Sequence, residues 1–206
     1  MSEIAGIRKW KALYRSLDAR EQPHLKPLPK PTDAMLDEFE SRSGFTLPLS
    51  YRAFIKVFGP GELAWEYRMF APGYPHQSEM IDLEKFNADF RKPFADTEHP
   101  RITKRLLEQY KDGQRLFRAV VFCRTGTGDL ICWDPADVRD GRQREYGIYQ
   151  LARKDFVEPL AVTFPEFIED VCLSEANLHP RHWDDKEFGT RRAFFPEYDT
   201  TDLDGQ

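Results

Sequence analysis

Two largely apolar runs, at residues 116–123 and 130–133, limit the possible folds of this chain more than any other feature. The six residues between them, 124–129, have a turn-forming composition with two glycines. Short apolar runs bounded by turn residues are typical of strands that lie inside a sheet. An Asp-Gly pair at 140–141 marks the next turn, and the strand-like segment 146–151 follows it. The sequence therefore predicts three consecutive antiparallel strands in its second half.

Helical periodicity is strong in the segment that follows Gly44. Pro48 suits the first turn of this helix, and Gly59 ends it. Four large apolar residues repeat at the spacing of one buried face: Tyr51, Phe54, Ile55 and Phe58. A preceding helix is predicted from a Thr32 cap to about Ser43, with Gly44 as its C-terminal stop. The two segments predict a short helical hairpin.

Further elements are predicted on both sides of these segments. Residues 3–18 carry apolar side chains at helical spacing, which indicates an amphipathic helix. Alternation from Leu63 to Met69 predicts a strand. Residues 81–92 are assigned to a helix, and 103–111 add one or two helical turns. A capping box at 163–166 begins a closing helix.

Charge is unevenly distributed along the chain. The net charge of −5 and the pI of about 5.6 oppose a general role in binding nucleic acid. Residues 1–31 hold seven basic and three acidic side chains, a net +4, whereas 175–206 hold four basic and eight acidic ones, a net −4. The middle of the chain carries the remaining −5, and an acidic surface of that kind suits a basic protein partner.

The sequence predicts a cytoplasmic protein without a membrane association. No apolar run approaches the roughly 20 residues that a membrane-spanning helix needs. The first 20 residues lack the apolar segment and the small-residue cleavage site of a secretory signal. Cys123, Cys132 and Cys172 lie in apolar stretches without CxxC spacing, so buried thiols are predicted in place of disulfides or metal ligands.

Two patterns invite a ligand, and each has a simpler interpretation. The glycines within 124–129 could expose backbone N–H groups to a phosphate, but the Gly-Lys-Ser/Thr ending is missing and a strand follows. A plain hairpin turn is therefore favoured. His179 and His182 have a spacing that could hold a metal, but Pro180 disrupts a helix there and no third ligand is near, so a solvated loop is favoured. The other histidines, His24, His76 and His99, are predicted to be surface residues.

Catalytic signatures are missing from the sequence. No nucleophile elbow, Cys/His signature or closely spaced carboxylate pair has a recognisable context. Asp129 and Asp134 are an odd number of residues apart along a strand, which places them on opposite faces. No catalytic residue, cofactor or metal is therefore predicted. A hydrolase whose site is assembled from distant residues stays the less favoured alternative.

Three segments resemble the SUKH superfamily, and most closely its Smi/Knr-type branch. Residues 44–55, GFTLPLSYRAFI, are similar to the helix junction that characterises its members. Residues 128–134, GDLICWD, resemble its glycine-led central strand, and 162–168, VTFPEFI, resemble its closing helix with threonine in place of the usual serine. The matches follow the family's order across about 32–173. The chain departs from the pattern at 59–61, where many relatives have Asn-Gly-Gly, and in a longer insertion between Trp65 and Leu116.

The resemblance implies an α+β fold with an antiparallel sheet flanked by helices, here with an added N-terminal helix and an irregular C-terminal tail. It divides the chain into an N-terminal helix and proline-rich linker at 1–31, a SUKH-like domain at 32–174, and an acidic, aromatic extension at 175–206. Both terminal segments fall outside the family pattern.

The resemblance also implies a non-enzymatic protein-binding domain. Many bacterial members resemble immunity proteins that neutralise a cognate toxin, often a nuclease or deaminase, and yeast relatives resemble regulatory scaffolds of cell-wall assembly. We favour the immunity role over the scaffold. Candidate contact residues lie on strands or loop ends that the sheet could expose: Glu62, Trp65, Glu66, Tyr67, Asp129 and Asp134. For the two aromatic residues among them, a place in the core is an equal alternative.

Overall fold

The computed structural model describes residues 3–19, 27–74, 81–95, 113–152, 156–178 and 193–198. The helices are α1 (Glu3–Ser16), α2 (Asp33–Ser43), α3 (Leu49–Phe58), α4 (Leu83–Ala95), α5 (Gly113–Arg118), α6 (Phe164–Glu166), which continues as a π-helix (Phe167–Cys172), and α7 (Glu175–Leu178). The strands are β1 (Asp18–Ala19), β2 (Gly61–Leu63), β3 (Tyr67–Met69), β4 (Val120–Thr125), β5 (Leu130–Asp140), β6 (Glu145–Ala152), β7 (Phe156–Ala161) and β8 (Ala193–Pro196).

The eight described strands form one sheet in the order β1-β8-β2-β3-β4-β5-β6-β7. Strand β1 is parallel to β8, and every other neighbouring pair in that order is antiparallel. The pairing of β4 with β5 and of β5 with β6 confirms the predicted run of three strands. The predicted α+β fold, an antiparallel sheet flanked by helices with an added N-terminal helix, is confirmed.

Aromatic rings fill the core between α3 and the sheet. Phe122 of β4 stacks on Trp133 of β5 with ring centroids 4.0 Å apart. Tyr51 of α3 packs edge-on against Trp133 at 4.9 Å and donates its hydroxyl hydrogen to the backbone oxygen of Phe70. Phe164, at the start of α6, is fully buried against the same rings. Burial of such large apolar side chains supplies much of the drive to fold.

Capping residues set the helix limits where the sequence predicts them. Thr32 accepts a hydrogen bond from the Met35 N–H at 3.3 Å to begin α2, and Gly44, with a φ of 67°, ends it. Thr163 caps α6 by accepting a hydrogen bond from the Glu166 N–H at 3.4 Å. The predicted helix at 81–92 is confirmed as α4.

Helix α1 is part of the core. Trp10 is fully buried, packs edge-on against Phe54 with centroids 5.4 Å apart, and donates its indole N–H to the Ser50 oxygen at 2.9 Å. The ring of Phe194 from β8 lies 5.9 Å from that of Tyr14. The predicted domain limits stay predictions, but segments on both sides of them share this core.

Several local predictions differ from the structure. The segment from Leu63 to Met69 is a hairpin of β2 and β3, because residues 64–66 reverse the chain. The first residues of the run 116–123 belong to α5, and β4 begins only at Val120. The helical turns predicted at 103–111 lie outside the described residues.

The C-terminal tail, which has no clear period, supplies an inner strand of the sheet, next to the edge strand β1. Strand β8 lies between β1 and β2, and its residue Phe194 is fully buried. The tail is therefore regular at this point, which corrects the expectation of an irregular extension. Strand β7 was also not predicted, because Glu158 and Pro159 interrupt the apolar pattern of its residues.

Three cysteines lie in the core as free thiols: Cys123, Cys132 and Cys172. Burial raises the pKa of each thiol, which keeps it protonated. The predicted buried thiols are confirmed. Across the described ranges, no helix has both the length and the apolar character to cross a membrane.

Candidate protein-docking surface

Four of the predicted contact residues lie on the hairpin of β2 and β3: Glu62, Trp65, Glu66 and Tyr67. A hydrogen bond from the Glu66 N–H to the Leu63 oxygen at 3.3 Å closes its turn. Ala64 and Trp65 both have a φ of 58°, a left-handed conformation that costs a non-glycine residue roughly 1–2 kcal/mol. Positive φ at both turn positions suits the twist of the two strands. The backbone thus accepts strain to hold Trp65 at the tip of the hairpin.

A recess of about 250 Å³ opens between the hairpin and the C-terminal segment. This aromatic recess is lined by Glu62, Trp65, Arg68, Phe195, Glu197 and Tyr198, together with Pro196. The rings of Trp65 and Phe195 contact each other with centroids 4.1 Å apart and planes at 61°. Glu62 and Phe195 face each other across the β2–β8 pair. The hairpin supplies one wall of the recess, and the segment around β8 supplies the other.

Two carboxylates share one guanidinium in the aromatic recess. Arg68 lies 3.5 Å from a Glu62 oxygen and 3.2 Å from a Glu197 oxygen. Burial raises the pKa of Glu197, the positive charge of Arg68 opposes that rise, and the negative charge of Glu62 adds to it. The three groups together hold one negative charge in excess.

A second recess, of about 170 Å³, shares Glu62 and Arg68 and extends to the turn between β4 and β5. This charged recess is also lined by Glu66, Arg124, Thr125 and Gly126. The Gly126 N–H donates to the backbone oxygen of Glu66 at 2.8 Å, which connects the turn to the hairpin. The favoured interpretation of 124–129 as a hairpin turn is confirmed, because this turn joins antiparallel β4 and β5.

The next two predicted residues lie near these recesses without lining them. Tyr67 packs its ring edge-on against Phe167 of the π-helix at 5.6 Å, so it belongs to the margin of the core. Asp129 is half-buried in the β4–β5 turn, where its carboxylate accepts a hydrogen bond from Gln150 of β6 at 2.9 Å. Its own N–H donates to the Thr125 hydroxyl at 2.9 Å, which stabilises the turn.

Asp134 does not lie on an exposed strand end, which corrects that expectation. Its side chain is 1% exposed and accepts hydrogen bonds from Arg115 at 2.8 Å and from Arg118 at 2.6 and 2.9 Å. Burial would raise its pKa, but the two arginines and the Ala136 N–H outweigh burial and lower the pKa to about 2. The carboxylate fastens α5 to β5 and offers no surface to a partner.

Five lining residues of the aromatic recess were not predicted: Arg68, Phe195, Pro196, Glu197 and Tyr198. The density of aromatic residues in the tail was the available signal. It indicates buried contacts of some kind, but a four-residue strand carries no period that would reveal its neighbour in the sheet.

Metal-binding groups are not assembled in the described residues. No cluster of three or more His, Cys, Asp or Glu residues there could hold an ion. All five histidines fall outside those residues, so the interpretations of His24, His76, His99, His179 and His182 are not tested.

Comparison with known families places most of this structure in one group. The family model described as SMI1 / KNR4 family (SUKH-1) matches residues 30–170, which is more than half of the 206-residue chain. The chain belongs to the SMI1/KNR4 family (SUKH-1). The SUKH-1 match runs from the residues before α2 into the π-helix, so α1 and β8 lie outside it. The hairpin wall of the aromatic recess is therefore inside the family region, and the β8 wall is an addition to it. No curated protein and no solved structure matches the chain.

Proposed function

We propose that this SUKH-1 protein is a cytoplasmic immunity protein that binds and neutralises a cognate toxin of the nuclease or deaminase class without catalysing a reaction. Family membership supports a protein partner, since SUKH domains are protein-interaction modules. The observation that carries the proposal is the grouping of Glu62, Trp65 and Glu66 around two adjoining recesses. Interfaces depend on aromatic anchors in pockets, and carboxylates steer a basic partner toward them.

The test begins with the reading frame next to the gene for this chain. We expect its product to co-purify with this protein and to lose its toxic activity in the complex. Trp65→Ala and Glu66→Arg should each weaken binding by about tenfold or more, because central aromatic and charged contacts dominate interface energies. The matched control is Glu158→Arg, an exposed residue on β7 at the other end of the sheet, which should leave binding unchanged. A neighbouring product that neither binds nor loses activity would refute the proposal.

A regulatory scaffold is the second candidate, and the outer face of α1 favours it. Arg8, Lys11 and Arg15 are exposed along one side of the helix, and Ile4, which is 68% exposed, continues the same stripe. None of the three basic residues takes part in an ion pair within the described chain. Such a face suits an acidic protein partner.

Charge reversal separates the two roles better than deletion does. Removing residues 1–31 would take Trp10 out of the core, so a loss of binding would not identify a contact. The triple variant Arg8→Glu, Lys11→Glu, Arg15→Glu keeps Trp10 in place. A scaffold should lose its partner in this variant and keep it in Glu66→Arg, whereas an immunity protein should show the opposite pattern.

A further inference from the structure

We infer that the aromatic recess binds an arginine side chain of the partner protein, an inference that rests on the proposed function. The recess combines carboxylates with aromatic rings in one concavity. Its volume of about 250 Å³ far exceeds the roughly 30 Å³ that one water occupies in the liquid, so the end of a large side chain fits.

The carboxylates favour a cation. Glu62 and Glu197 are 27% and 21% exposed, which makes them reachable yet partly desolvated. Within the described chain both pair with Arg68, whose contacts with them are 3.5 and 3.2 Å long, at or beyond the upper end of hydrogen-bond distances. One guanidinium therefore leaves acceptor capacity and one negative charge unmatched, and a second guanidinium would supply both donors and charge.

The rings favour a planar cation over a compact one. The rings of Trp65 and Phe195 are in contact and line the recess, and Tyr198 lines the same space. Guanidinium groups stack on aromatic faces and present a fixed fork of donors to carboxylates, whereas an ammonium is a strongly hydrated point charge. Arginine is therefore expected to bind more tightly than lysine.

The charged recess does not share this chemistry. Two carboxylates, Glu62 and Glu66, and two guanidinium groups, Arg68 and Arg124, line it, so cations and anions balance there, and no aromatic residue lines it. This contrast supplies a matched control, because Glu62 lines both recesses while Glu66 lines only the charged recess and Glu197 only the aromatic recess.

The test uses N-acetyl-L-argininamide as the probe and the NMR signal of the Trp65 indole N–H, assigned by its loss in Trp65→Phe, as the readout. We expect a saturable shift in the millimolar range, with weaker binding of N-acetyl-L-lysinamide and none of the neutral N-acetyl-L-citrullinamide. Glu197→Gln should weaken the arginine probe by about fivefold or more, since it removes a charge-assisted contact. Glu66→Gln should leave it unchanged. Retained amide spectra will show that each variant is folded.

Failure of this inference differs from failure of the proposed function. Suppose that the partner no longer binds Trp65→Ala but binds Glu197→Gln normally, and that the arginine probe gives no response. These results would contradict arginine binding in the recess and leave the immunity role intact. A saturable arginine response that Glu197→Gln abolishes supports the recess, even if the neighbouring product does not bind. Equal shifts with the arginine and citrulline probes would show that the guanidinium charge is not recognised, and would overturn the inference.

Discussion

Asp134 is a single carboxylate that holds two elements together. Replacing it with asparagine keeps the shape and removes the charge that Arg115 and Arg118 neutralise. We expect Asp134→Asn to lower the free energy of unfolding at neutral pH by roughly 1.5–3 kcal/mol, the contribution of a hydrogen bond to a charged group. Because the folded pKa is about 2 and the ordinary value 3.8, this stabilisation is complete above 3.8 and is lost as the pH falls through about 2.

Urea denaturation at several pH values checks this prediction. The difference in unfolding free energy between the native chain and the variant should shrink as the pH falls below 3.8. Asp170→Asn is the control, because Asp170 is exposed on the π-helix and should change stability by less than about 0.5 kcal/mol. A difference that stays constant with pH would show that the charge of Asp134 is not what stabilises α5.

Gly61 is required for the close approach of β8 to β2. A Cβ atom at this position would lie 2.5 Å from both the ring of Phe194 and the backbone oxygen of Phe195. We expect Gly61→Ala to destabilise the protein by roughly 1–3 kcal/mol through overpacking, as measured by thermal unfolding. Gly141→Ala is the matched control, since nothing lies within 4 Å of its added Cβ. Equal stability of the two variants would contradict the tight β2–β8 contact.

At the scale of elements, α1 is predicted to unfold together with the rest of the core. Trp10→Ala should lower the free energy of unfolding by roughly 3–5 kcal/mol, because it leaves a cavity against Phe54 and Phe164 and removes the indole hydrogen bond to the Ser50 backbone oxygen. Trp10→Phe should cost less, since it keeps a ring. Ile4→Ala, at the exposed end of the helix, should have almost no effect. Circular dichroism during urea denaturation measures all three, and a separate early loss of α1 helicity would contradict the prediction.

An element could be predicted where the residues that form it are close together in the sequence. The faces of α3 and the caps at Thr32 and Thr163 depend on residues within a few positions, so the sequence reveals them. The turn at 64–66 was not predicted because Ala64 and Trp65 adopt positive φ without the residues that usually do so in hairpin turns. Asn or Gly at these positions would have indicated the turn. Glu62, Trp65 and Glu66 could be named from the strand pattern, but Glu197 joins them only through a pairing between distant segments.

At the scale of the whole molecule, the two chain ends complete the sheet. Strand β8 covers the edge of β2, and β1 covers the edge of β8. An uncovered edge exposes backbone N–H and C=O groups that pair with other chains. The SUKH-1 match ends at residue 170, before β8, so this protection of β2 comes from outside the family region.

Truncation tests whether β8 serves the entire sheet. Deleting residues 193–206 removes the fully buried Phe194 and uncovers β2, so we expect the free energy of unfolding to fall by at least about 2 kcal/mol, the burial of one phenylalanine. Light scattering coupled to size exclusion should then reveal oligomers formed through the uncovered edge. Deleting only 199–206 keeps β8 and Tyr198, and should leave both the stability and the oligomeric state of the full chain unchanged. If the longer deletion leaves both the stability and the oligomeric state unchanged, β2 does not need β8, and the β8 wall of the aromatic recess is not required by the fold.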